Sequence, residues 1–111
     1  MKNYDPTTFA KAFQTFFDGV EAYQKHYHES SGNHAVNLRE FKYKEGRRYI
    51  KVTYNYKHGQ CNSVYCFVDK TNGDVLKPAG WYQPAKGARG NIYNDDHGLT
   101  ALRPHGVITF R

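Results

Sequence analysis

The residues best suited to chemistry crowd into one stretch, Lys77-Pro78-Ala79-Gly80-Trp81-Tyr82-Gln83-Pro84-Ala85-Lys86-Gly87-Ala88-Arg89-Gly90-Asn91, with three glycines, two prolines and three basic side chains. Backbone N–H groups in glycine-rich turns approach phosphate oxygens closely, and a neighbouring Lys or Arg adds charge-assisted bonds. Lys77, Lys86 and Arg89 fit that task. Trp81 and Tyr82 offer flat faces for a base, a contact worth roughly 1–3 kcal/mol per base in single-strand binders. Asn91, with a donor and an acceptor, can read a base edge or a ribose. The competing reading makes Trp81 a core residue and the Pro-Ala-Lys-Gly turn a device that only shapes the chain.

Other chemistries find less support. Asp95, Asp96 and His97 could hold a metal or act as acid and base, but next to Gly98 such a cluster is more often a solvated turn. Neither phosphate-loop fingerprint, G-x-x-x-x-G-K-[ST] or G-x-G-x-x-G, occurs, and there is no G-x-S-x-G elbow. Cys61 and Cys66 are too sparse for a disulfide framework and read as free thiols. His26, His28, His34, His58, His97 and His105 lack zinc-ligand spacing. The expectation is a protein without metal, cofactor or catalytic residues.

Composition sets the frame for these groups. The chain has 111 residues, enough for a single domain spanning 1–111, and its 16% aromatic content is high. A formal charge of +6 favours phosphate-bearing or polyanionic partners, although a charge of about 2 to 8 is also what keeps many small domains in solution. No run approaches the ~18 apolar residues of a membrane span, and Met-Lys-Asn-Tyr-Asp-Pro lacks a signal-peptide hydrophobic run. No membrane contact and an intracellular location are expected.

The elements that must position the site follow from periodicity. Asp5-Pro6 is a helix start, with Asp as cap and Pro at the first helical position. Phe9, Phe13, Phe16, Phe17, Val20, Tyr23 or Gln24, and Tyr27 then mark one apolar stripe, read as core, up to the breaker cluster Ser30-Ser31-Gly32-Asn33. From Ala35 the period becomes two. Val36, Leu38 and Glu40 alternate, and Ile50, Val52, Tyr54 and Tyr56 share a face. Lys44-Glu45-Gly46-Arg47, Lys57-His58-Gly59-Gln60 and Lys70-Thr71-Asn72-Gly73 are turns, the last with the Asn-Gly pair typical of a tight hairpin. In the next strand Val64, Cys66 and Val68 are expected on one face and Tyr65 and Phe67 on the other. Both faces then need cover, one from the helix and the other from the tail or another subunit. After Leu76 the chain reads as loops, with a turn at Asn94 to Gly98, a helical turn at Leu99 to Leu102 and a closing strand at Val107 to Phe110. The fold class is α+β: a long N-terminal amphipathic helix packed on an antiparallel β-sheet with a loop-rich C-terminal segment.

Lys77-Pro78-Ala79-x-Trp81-x-x-Pro84-Ala85-Lys86-x-x-Arg89-Gly90-Asn91-Ile92, preceded by Tyr65-x-Phe67-Val68-Asp69 and Gly73-Asp74-Val75, resembles a pattern in small bacteriophage proteins, the Thoeris anti-defence protein 1 family. The resemblance covers roughly the C-terminal half. It implies a helix against an antiparallel sheet, working in the host bacterial cytoplasm as a sponge that binds a cyclic ADP-ribose signal without cleaving it. For some members it also implies a hexamer that takes up cyclic oligonucleotide signals of CBASS defence in separate sites. By matching position, Trp81 would stack on adenine and Asn91 would hydrogen-bond the ligand. Arg89 and Lys86 lie in the same motif and their charge suits phosphate; Lys77 and the downstream Arg103 complete the ligand-binding set. Tyr82 stands where the pattern has Lys. A different reading makes the protein a single-stranded nucleic-acid binder, with Tyr49, Tyr54, Tyr56 and the basic loop tracking a strand; a third is an enzyme that degrades nucleotides.

Overall fold

A computed structural model describes residues 6–30, 39–56, 62–103 and 106–107. Asp5, His34, Val36, Leu38, the 57–60 turn, Cys61, His105 and the strand expected over 108–110 lie outside the described residues, as do the side chains of His28 and Tyr56.

Helix α1 runs over Pro6–Ser30, as the proline start and the serine-glycine stop require. At ~1.5 Å rise per residue it is a rod of about 37 Å. Phe9, Phe13, Phe16, Phe17, Val20 and Gln24 form its buried stripe. The choice left open by spacing falls on Gln24, 4% exposed, while Tyr23 packs at the margin of the core and Tyr27 is 37% exposed. A buried amide needs a partner, and Gln24 has one in the hydroxyl of Tyr65.

Five strands follow: β1 (Arg39–Glu45), β2 (Tyr49–Tyr56), β3 (Asn62–Asp69), β4 (Asp74–Pro78) and β5 (Pro84–Asn91). They pair in chain order as an antiparallel meander. A short 3-10 helix (Leu99–Ala101) then leads into a two-stranded ribbon of β6 (Leu102–Arg103) and β7 (Gly106–Val107). The helix, Ala101, Leu102 and Val107 share one buried cluster with Ile50, Val52, Cys66, Val68 and Val75, so helix and tail ribbon cover the same side of the sheet.

Two expectations change here. The register steps from Val52 opposite Cys66 to Thr53 opposite Val64, so Tyr65 is an extra residue in β3. A bulge of this kind turns two consecutive side chains to one side. Tyr65 therefore joins Cys66 in the core, against Phe41 at 5.3 Å and Tyr54 at 6.2 Å between ring centroids, rather than sharing a face with Phe67. The second change is β5 itself. Pro84–Asn91 is not loop but the fifth strand, with irregular register against β4 at Val75/Leu76 and Leu76/Pro78. Glycine and proline are tolerated in it because it is an outer strand with one side unpaired.

The turns behave as their residues dictate. Gly46 N–H donates to Tyr49 O at 2.8 Å and closes the β1–β2 hairpin. Gly73 sits at φ +81° in the Asn-Gly turn, where an added Cβ would also lie 2.7 Å from the Tyr93 ring, so both backbone and space demand glycine.

Phe16 is fully buried, and its truncation leaves a cavity that the flanking rings cannot fill. Phe16→Ala should cost about 3–5 kcal/mol of folding stability. Tyr65→Phe leaves Gln24 and the Arg103 carbonyl, which accepts from the hydroxyl at 2.6 Å, without a partner, and should cost about 1–3 kcal/mol. Urea unfolding read by far-UV circular dichroism measures both.

Candidate functional site

Among the described residues, helix and ribbon leave the other side of the sheet without a covering layer. Its middle is a cross-strand row, Lys44, Lys51, Phe67, Leu76 and Ala88, in which each residue faces the next. Phe67 is nonetheless only 3% exposed. Tyr49 meets it edge-on at 6.0 Å, and Lys51 and Tyr82 line the same hollow.

The cover comes from the β4–β5 hairpin. Ala79 N–H and Gly80 N–H donate to Gln83 O at 2.8 and 3.2 Å, closing a tip that carries Trp81 and Tyr82. Lys51 crosses from β2 to meet it. Its ammonium donates to the Trp81 carbonyl at 3.2 Å and lies 4.1 Å from the Trp81 ring centroid and 5.0 Å from that of Tyr82. The two rings stand at 89° to each other, 41% and 82% exposed. Trp81 is thus a surface aromatic beside a cation and not a core residue.

Two hollows flank a ridge made of Arg48 and Tyr49. One, about 300 Å³, is lined by residues 44–49 with Lys51, Phe67 and Tyr82. The other, about 330 Å³, lies between Arg48, Tyr49, Asp69, Leu76 and the first half of β5, and includes Lys86. Arg48 is fixed by Asp69, whose Oδ2 accepts from Nη2 at 3.1 Å and Nε at 3.3 Å. Burial on its own would raise the Asp69 carboxyl, but the hydroxyl and amide of Thr71 and the guanidinium of Arg48 outweigh it and hold the group below its ordinary value.

The six residues singled out in the sequence do not converge. Trp81 stands beside Lys51, while Lys86 lines the second hollow. Asn91 is occupied within its own turn: Nδ2 donates to Asn72 O at 2.8 Å and to Asp74 Oδ1 at 2.9 Å, while Oδ1 accepts from Tyr93 N–H at 2.8 Å. Arg89 turns back to the Gly87 carbonyl at 3.2 Å. Strand alternation puts Lys77 on the opposite side from Leu76. Arg103 belongs to the ribbon on the helix side, donating to Leu102 O at 2.7 Å and Thr100 O at 3.2 Å. Tyr49 and Tyr54 lie on opposite faces of β2, so they do not form one platform for a single strand.

Spacing did not point to Lys44, Arg47, Arg48 and Lys51. Their signal lies in the hairpin: folding the chain about Gly46 sets Lys44 opposite Lys51, with the two arginines at the turn.

Two of the remaining reactive groups are engaged. Cys66 is fully buried, which pushes its thiol up and keeps it protonated. Asp96 caps the 3-10 helix, its carboxylate accepting from the Thr100 hydroxyl, Gly98 N–H at 3.1 Å and Thr100 N–H at 3.2 Å, bonds that lower its pKa. Asn94 to Gly98 is a turn, as expected, with His97 at φ +57°. Among the described residues no three His, Cys, Asp or Glu side chains are grouped to hold a metal ion, and no helix is long and apolar enough to cross a membrane.

Over residues 2–105 the chain matches the model of a family of unknown function, DUF7717, and it belongs to that family. No curated protein and no solved structure matches it.

Because the Asp69 pKa is depressed on folding, its contribution to stability is present above the unfolded value near ~3.9 and is lost as pH falls through the folded value. Urea midpoints measured between pH 6 and 2.5 should fall below about pH 4 in the native protein. Asp69→Asn should start lower at pH 6 and lose part of that slope.

Proposed function

We propose that this protein binds a small phosphate-bearing nucleotide on the uncovered face of its sheet and holds it unchanged. In its specific form the proposal is that of the resemblance: a phage anti-defence sponge in the host bacterial cytoplasm that sequesters a cyclic nucleotide signal, a cyclic ADP-ribose isomer or a cyclic oligonucleotide.

One observation carries the reading: two exposed, mutually perpendicular rings, Trp81 and Tyr82, stand at the edge of a cationic hollow whose floor is aromatic. A base stacks on the wide face of Trp81, and the phosphates lie towards Lys51 and the β1–β2 turn. Ligand and Lys51 then share the rings, and the ammonium is within reach of either an aromatic face or a phosphate oxygen. The non-catalytic half is supported by the engagement of two groups that could act on a nucleotide, Cys66 in the core and Asp96 at the 3-10 helix. Capture becomes sequestration when release is slow and copies are numerous. Assembly of several copies, a hexamer in the resemblance, belongs to the same proposal.

The protein is mixed with a panel of cyclic nucleotides and short oligonucleotides, passed through gel filtration, and heat-denatured to release what it kept. Mass spectrometry should recover an unaltered cyclic nucleotide; a hydrolysed product would overturn the non-catalytic reading. Trp81→Ala should weaken retention by about 5- to 150-fold, the loss of one stacked base, with unchanged circular dichroism. Retention equal to the native protein would remove Trp81 from the site. Sedimentation should show a species heavier than the 12.9 kDa chain at micromolar concentration, and a monomer alone would refute assembly.

A further inference from the structure

We infer that the hollow between the β1–β2 hairpin and Tyr82 is a phosphate subsite, built for a compact dianionic or pyrophosphate group; the inference rests on the nucleotide reading above and locates the part of the ligand that Trp81 does not touch.

The charges around this hollow are unbalanced. Its lining carries four cations, Lys44, Arg47, Arg48 and Lys51, against one carboxylate, Glu45. That carboxylate is taken by Lys70, at 2.5 Å, and Arg48 is taken by Asp69. Both nearby carboxylates are thus matched, and neither Lys44 nor Arg47 has a hydrogen-bond or ion-pair partner among the described residues. Lys51 is held only by a carbonyl and two ring faces.

Lys44 and Lys51 are also directly opposite each other in the β1–β2 ladder. Like charges in that position repel and destabilise a sheet. A sequence that sets them there, with no carboxylate between them, carries a local cost in the free protein that an anion would relieve. Such local inconsistencies concentrate at functional sites.

The turn of the cradle is tied to β3 by hydrogen bonds of this chain alone. Lys70 ties the hairpin to the end of β3, its ammonium donating to Gly46 O at 3.1 Å and its N–H to Arg48 O at 2.8 Å. Asp69 grips Arg48 from the same side. The β1–β2 turn therefore does not need to be ordered on binding, which removes an entropic cost from affinity. At about 300 Å³ the hollow suits a pyrophosphate and part of a ribose, with the base outside it on the Trp81–Tyr82 tip.

Isothermal titration with inorganic pyrophosphate and with ADP tests the assignment, using the native protein, Lys44→Gln, Arg47→Gln and the control Lys11→Gln on the exposed side of α1. Pyrophosphate should bind the native protein, and both hairpin variants should weaken pyrophosphate and ADP by about tenfold or more. Thermal unfolding adds a sign that a merely structural role would not give: Lys44→Gln should unfold no earlier than the native protein without ligand, and pyrophosphate should raise its melting temperature less. No binding of pyrophosphate to the native protein overturns the subsite, as does an equal loss in Lys11→Gln, which would reduce the effect to overall charge. If nucleotides are retained through Trp81 while Lys44→Gln and Arg47→Gln bind them normally, the subsite fails and the nucleotide reading stands. If pyrophosphate binds with the stated sensitivity but no nucleotide is retained, the subsite stands and the nucleotide reading fails.

Discussion

The architecture turns on one buried phenol. Tyr65 occupies the bulge of β3, so it points into the same layer as Cys66, and its hydroxyl meets Gln24 of the helix and the carbonyl of Arg103 in the tail. Burial raises its pKa well above the ordinary tyrosine value, which favours the protonated, donating hydroxyl. Its ring is boxed edge-on by Phe41 and Tyr54. Helix, sheet and ribbon are thereby joined at one residue, and all of the covering layers are drawn to one side.

The other side follows from that asymmetry. A sheet with cover on one face normally alternates apolar and polar residues and leaves the polar face wet. Here Phe67 and Leu76 are buried on the face that no layer of the described residues covers, under Tyr49 and the β4–β5 hairpin. The hairpin is in turn steadied by Lys51 through its carbonyl and rings. The hollow is formed at these same contacts, since the side chains that shelter Phe67 are also those that line it.

Much of this was legible in the chain. The proline start, the phenylalanine stripe and the Asn-Gly hairpin each specify a local geometry whose stereochemistry admits few alternatives, and α1, the β3–β4 turn and the α+β class follow from them. The Tyr65 bulge was not legible, because strict alternation assigns Tyr65 and Phe67 to one face, and the contacts that Tyr65 makes with Gln24, Arg103, Phe41 and Tyr54 are all tertiary. Gln24 itself was one of two candidates, and hydrophobicity alone would have chosen Tyr23. The candidate site was legible at the aromatic pair and not at the cations. Lys44 and Lys51 are seven positions apart, and it is register, a tertiary property, that makes them neighbours.

The Gly-rich motif changes meaning once it is a strand. Gly90 is opposite Val75, where an added Cβ would sit in ordinary contact with Ala101 at 3.4 Å and Gly98 at 3.6 Å, while Gly87 takes φ +92° beside Lys86 in the second hollow. Asn91 pins the start of β4 to the end of β5 through Asn72 and Asp74. What this segment provides is a short, irregular outer strand anchored at one end by Asn91 and closed at the other by Gln83, so that Trp81 and Tyr82 are carried at a fixed tip. The tip meets its cations across the sheet and not within the motif. In this chain those cations come from a different hairpin, β1–β2, held in place by Asp69 and Lys70. The rings and the cations thus meet across the sheet through register and hairpin placement, which no single segment of the sequence encodes.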